Sequence, residues 1–109
     1  MSKVLLFGEP MGLFTSQIEG ELENVNVFEK SVAGAEINVG TGLSRLGHSV
    51  SYITRLGDDP IGKYIKKFIS KENIGTEFIT FDNLNKTGLM LKNKVSEGDP
   101  TTAYYRKGS

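Results

Sequence analysis

The chain has 109 residues, with 13 lysines and arginines against 13 aspartates and glutamates, 38% hydrophobic and 24% charged residues, and no cysteine. Zero net charge argues against binding nucleic acid or an anionic membrane through bulk electrostatics. The missing cysteines exclude disulfides, thiolate metal sites and cysteine catalysis, and the single histidine, His48, cannot build a histidine metal cluster. The composition suits a soluble globular protein of one domain or part of one. No run nears the ~18 apolar residues of a membrane span, and the start lacks a signal peptide's apolar core, so the expected compartment is the cytoplasm.

Lys3-Val4-Leu5-Leu6-Phe7 is a continuous apolar run ending at Gly8, the pattern of a strand buried on both faces of a parallel sheet. Residues 9–32 alternate short apolar pieces with polar residues, which predicts half-exposed antiparallel strands with a turn near Gly20. Residues 35–46 read as a helix, with Val39, Leu43 and Leu46 on one face and Gly47 at the position of a left-handed cap. Residues 50–54 form a strand. The next helix opens with Asp59 as N-cap and Pro60 at its first position. Its apolar stripe is Ile61, Tyr64, Ile65, Phe68 and Ile69, with Lys63, Lys66, Lys67 and Lys71 outside it. Asn73 and Gly75 end it, and residues 78–81 form another strand. Residues 87–92 and 101–106 read as a hairpin joined by the polar loop 93–100. The order is that of an α/β fold with right-handed crossovers. Three parallel strands and two helices make a thin core, so the chain reads as the front part of something larger.

Several segments have chemical potential. Gly40-Thr41-Gly42-Leu43-Ser44-Arg45 fails as a dinucleotide fingerprint, because Arg45 stands where the third glycine belongs and the run lies inside a helix. Asp58 and Asp59 are adjacent carboxylates able to hold Mg²⁺ or do acid–base work, but the helix that follows makes capping the simpler role. His48 is expected at the surface. In Ala33-Gly34-Ala35-Glu36-Ile37-Asn38, a helix start offers free amides, Gly34 allows close approach, and Asn38 can donate and accept hydrogen bonds with a polyhydroxylated ligand. An ordinary helix start explains the same residues. In Tyr104-Tyr105-Arg106-Lys107, alternation puts Tyr104 and Arg106 on one face, where an arginine beside an aromatic ring can grip a carboxylate. A cross-strand aromatic pair with a solvated arginine is the alternative.

Taken in order, these segments resemble the ribokinase-type family of carbohydrate kinases. Residues 33–47 match a Gly-Gly-x-x-x-Asn helix ending in Leu-Gly, with Ala33 in place of the first glycine. Residues 55–62 match its Gly-x-Asp-x-x-Gly turn, and Thr87-Gly88 before a strand is also typical. Within the family, Gly8-Glu9 and the run Tyr104 to Ser109 are most similar to kinases of 2-keto-3-deoxygluconate. The resemblance implies substrate contacts at Gly34, Asn38, Tyr104 and Arg106, with Arg106 near the carboxylate. Met90 occupies a position where those kinases often carry a tyrosine, a difference that bears on the substrate.

The fold implied is the N-terminal part of a ribokinase-like doubly wound α/β sheet, with a core of about 1–11 and 33–86 and a small four-stranded β lid of about 12–32 and 87–107. The ligand implied is a small-molecule sugar acid, with no nucleic acid and no membrane, and the lid is a possible homo-oligomer contact. ATP and Mg²⁺ are implied for the parent enzyme, at a site mostly outside this chain. The family's catalytic aspartate, in a Gly-Ala-Gly-Asp turn, has no counterpart here. The expectation is therefore a substrate-binding half, inactive alone. Two alternatives stand beside it: a kinase for ribose, fructose or a nucleoside, and a stand-alone sugar-binding or dimerising module without chemistry.

Overall fold

The structure is a computed structural model describing residues 3–96, 98 and 100–105. Its elements are β1 (Lys3–Phe7), β2 (Met11–Glu19), β3 (Phe28–Ala33), α1 (Ala35–Arg45), β4 (Ser49–Gly57), α2 (Pro60–Lys71), β5 (Ile79–Asp82), β6 (Leu89–Lys94) and β7 (Thr102–Tyr105), with a short 3-10 turn at Leu22–Asn24. They form two sheets. One is parallel, in the order β1-β4-β5; the other is four-stranded and mixed, in the order β3-β2-β6-β7.

The parallel sheet carries the core. Val50, Tyr52 and Leu56 alternate on one face of β4 and are buried together with Ile37 of α1, Ile65 and Ile69 of α2, and Ile74 and Ile79. Both helices therefore lie on the same face. The strand order advances in one direction, and right-handed crossovers then return each helix to the same side. The stripe on α2 behaves as its spacing demands: Ile65 and Ile69 are fully buried, while Ile61 and Phe68 pack against the core from its margin. Gly47 takes the left-handed conformation at φ 95° and lets the chain turn off α1.

The expectation that β1 is buried on both faces fails. β1 pairs with β4 alone among the described residues, and Leu5 and Phe7 are 46% and 70% exposed. Val4 and Leu6 pack towards the core, but the opposite face receives no helix from the described residues, for the handedness reason just given. The placement of His48 at the surface also needs correction. It is half-buried beyond the end of α1, and its Nδ1 is shielded from water without a hydrogen-bond partner.

The mixed sheet combines two hairpin-like pairs, β2 with β3 and β6 with β7, joined by parallel pairing of β2 with β6. It rests on α2. A Cβ at Gly12 would run into the Ile61 side chain. Tyr64 donates its hydroxyl proton to the Lys30 carbonyl at 3.1 Å, and the Lys30 ammonium lies 4.1 Å from the Tyr64 ring centre. No helix among the described residues is long and apolar enough to cross a membrane. Truncating Ile65 to alanine would remove a fully buried side chain at the centre of the core. It should cost about 2–5 kcal/mol in urea unfolding of this chain, and a loss below about 1 kcal/mol would contradict this placement.

Candidate functional site

Ligands of open parallel sheets sit outside the carboxyl ends of the strands. Here those ends frame a cleft of about 320 Å³. Gly8, Glu9 and Pro10 follow β1, Thr54 to Gly57 close β4, Asp82 ends β5, and Asn85 to Gly88 lead into the mixed sheet. Arg55 and Lys86 bring positive charge to the rim. Asp82 is locked by its own turn, accepting from the Asn85 amide at 2.9 Å and the Leu84 N–H at 2.7 Å. The Asn85 bond, with the Leu84 amide and the charge of Arg55, holds its carboxyl below the usual aspartate range.

The residues singled out in the sequence fall into two groups. Met90 and Tyr104 are paired across β6 and β7, and the pairing extends through Leu13 of β2 to Ser31 of β3. Residues paired across strands share a face, so these four form one row. The adjacent row, with Gly12, is the one that meets Ile61, so the Met90–Tyr104 row faces away from α2. Tyr104 is 56% exposed. Gly88, two residues before Met90 in the chain, lines the cleft. Gly34 and Asn38 form the second group. Gly34 joins β3 to α1 beside Pro10, and as the N-cap residue of α1 it has no side chain to cap the helix. Asn38 is exposed on the first turn. None of the four lines the cleft itself. Arg106 lies outside the described residues.

Two interactions escape sequence reasoning. Tyr52, fully buried on the helix-covered face of β4, donates its hydroxyl proton to Glu36 Oε1 at 3.4 Å, and that carboxylate packs directly on Gly8. Burial and the Glu36 charge push the Tyr52 phenol far up. The second involves Asp59, which caps α2 through the Gly62 N–H at 2.7 Å and also accepts from the N–H and hydroxyl of Thr87 at 2.8 and 2.9 Å. The only sequence signal for it is that both residues belong to motifs quoted above. Gly62 is required beside it, because a Cβ there would overlap the Gly57 carbonyl.

No three acidic or histidine side chains among the described residues converge on a metal-sized site. The α2 N-terminus, next to the cleft, already has Asp59 where a phosphate would sit.

Burial alone would raise Asp59, but hydrogen bonds from Thr87, Gly62 and Ile61 outweigh it and hold the carboxyl below the ordinary value of 3.8. A group depressed on folding contributes stability above its unfolded pKa and loses it as pH falls through the folded one. Asp59→Ala should therefore cost about 1–2 kcal/mol at pH 7. The difference from the unaltered chain should shrink below pH 4, as read by thermal unfolding across pH; a pH-independent difference would contradict the ionised role.

The pattern of the pfkB family carbohydrate kinases matches residues 1–109. Over 104 residues the chain is 43% identical to 2-dehydro-3-deoxygluconokinase of Bacillus subtilis, covering 94% of this chain and 32% of that protein. The crystal structure of a PfkB protein from Polaromonas sp. JS666 superposes with a TM-score of 0.93 at 41% identity, over 100% of this chain and 37% of that one. A sugar kinase of Pyrococcus horikoshii, crystallised in complex with ATP, gives a TM-score of 0.86 at 36% identity, over 97% of this chain and 35% of that one. The chain thus spans about a third of the length of these relatives. Two sheets joined at a cleft, motif order and likeness agree: the chain belongs to the pfkB family of carbohydrate kinases, and its fold is the N-terminal portion of theirs.

Proposed function

We propose that these residues form the sugar-binding side of an ATP-dependent sugar-acid kinase whose substrate is 2-keto-3-deoxygluconate. The observation that carries this reading is the pairing of Met90 with Tyr104 on the sheet face turned from α2, two residues along the chain from cleft-lining Gly88, in a chain 43% identical to a 2-dehydro-3-deoxygluconokinase. In the reaction, a sugar hydroxyl oxygen bonds to the γ-phosphorus of ATP, the bridging P–O bond breaks, ADP leaves, and a base takes the hydroxyl proton. ATP, Mg²⁺ and that base are assigned to the two-thirds of the relatives' length that this chain does not span, so the chain alone transfers no phosphoryl group. Its own residues bind and orient. The Gly34 backbone and the Asn38 amide meet hydroxyls, the Tyr104 hydroxyl takes a polar edge of the sugar, and Met90 offers an apolar surface. Arg106 holds the carboxylate through its planar fork.

A kinase for a neutral sugar is the second reading, and Met90 favours it, because a thioether is a weak partner where a tyrosine hydroxyl would bind a sugar acid. Titrating this chain with 2-keto-3-deoxygluconate and with fructose, followed by NMR, separates the two. The acid should shift the Met90 methyl, Tyr104 ring and Asn38 amide signals, with fructose weaker. Arg106→Lys should weaken the acid about tenfold and leave fructose unchanged. Equal affinities would favour the neutral-sugar reading, and silence with both would reject sugar binding at this surface. Incubated with MgATP and the acid, the chain should release no ADP above background.

A further inference from the structure

Asp59 does more than start a helix. Its Oδ1 accepts from the Gly62 N–H and the Thr87 hydroxyl, and its Oδ2 accepts from the Thr87 N–H. The buried Thr87 oxygen in turn accepts from the Gly57 N–H at 2.9 Å. Four hydrogen bonds thus knot the end of β4, the start of α2 and the segment entering β6. At the next residue, the Gly88 carbonyl accepts from the Gly12 N–H at 3.0 Å, where the parallel pairing of β2 with β6 begins. Gly57, Thr87 and Gly88 all line the cleft.

We propose that the Asp59–Thr87 clasp sets the position of the mixed sheet over the cleft. Asp59 and Thr87 are then positioning residues, acting on the sugar through Gly88 and the Met90–Tyr104 row and not by touching it. The inference rests on the sugar-kinase reading for its functional meaning. Its structural content stands apart, because an α2 cap alone predicts something different. Thr87 contributes nothing to the Gly62 contact that caps α2, so losing its hydroxyl should spare the helix. Asp59→Asn keeps a capping oxygen for Gly62, since asparagine caps as well as aspartate, but has only one acceptor oxygen left to share with Thr87.

Amide hydrogen exchange on this chain tests the clasp without any sugar. In Thr87→Val and in Asp59→Asn, the amides of residues 12–15 and 89–91 should exchange at least about tenfold faster, as expected for losing a hydrogen bond to a charged group. Amides of residues 65–69 in α2 should stay within about twofold, and Thr87→Ser should restore the slow pattern. Unchanged exchange at 12–15 and 89–91 would overturn the proposal. So would equal acceleration of both regions, the mark of a general loss of stability. If Thr87→Val does not fold, Asp59→Asn carries the same comparison. Failure of the unaltered chain to bind either sugar would strike the functional reading and leave the exchange result untouched.

Discussion

The constraint on which this structure turns is that one short helix must serve two sheets. The buried stripe of α2 belongs to the parallel sheet, through Ile65 and Ile69. Its first two turns belong also to the mixed sheet, through Asp59 at Thr87, Ile61 at Gly12 and Tyr64 at Lys30. A carboxylate suits the first of these contacts because it offers acceptors on two oxygens and takes donors from three directions. An ionised group is stable there because the Gly62 N–H, the Thr87 N–H and the Thr87 hydroxyl all donate to it. The cost of burying it is met by these bonds, which is why its affinity for a proton falls instead of rising.

The same helix explains the openness of the molecule. With α1 and α2 on one face, the sheet is closed on that side by a continuous apolar layer, while on the other Leu5 and Phe7 are left exposed among the described residues. An apolar run such as residues 3–7 reports the burial a strand needs, not which residues supply it. The chain spans only about a third of the length of the relatives it matches.

Much of this was legible in the sequence because it is local. The stripe and cap of α2 lie within twelve residues and depend on 3.6-residue spacing. The glycine after α1 and the two hairpin-like pairs are equally short-range. The Met90–Tyr104 pairing came only from the structure, since alternation within each strand does not set the register across the loop 93–100. What was not legible is long-range. Asp59 is a sufficient N-cap by itself, so nothing in its neighbourhood announces Thr87. The parallel pairing of Gly12 with Leu89 depends on where two crossovers deliver the chain. The half-burial of His48 follows from what packs around it, which periodicity does not report.

The two sheets differ in how much change they can absorb. Met90 is half-buried, stands on the face turned from α2 and belongs to no core cluster. Exchanging its thioether for a hydroxyl would alter what that surface can hydrogen-bond and leave the packing beneath α2 alone. Asp59, Gly57 and Gly62 have no such freedom, since each is pressed against backbone of another segment. On the proposed reading, the residues that choose a sugar sit on a surface that can vary, and the residues that hold that surface in place cannot. A substrate can then be changed at the Met90–Tyr104 row without rebuilding the joint that carries it.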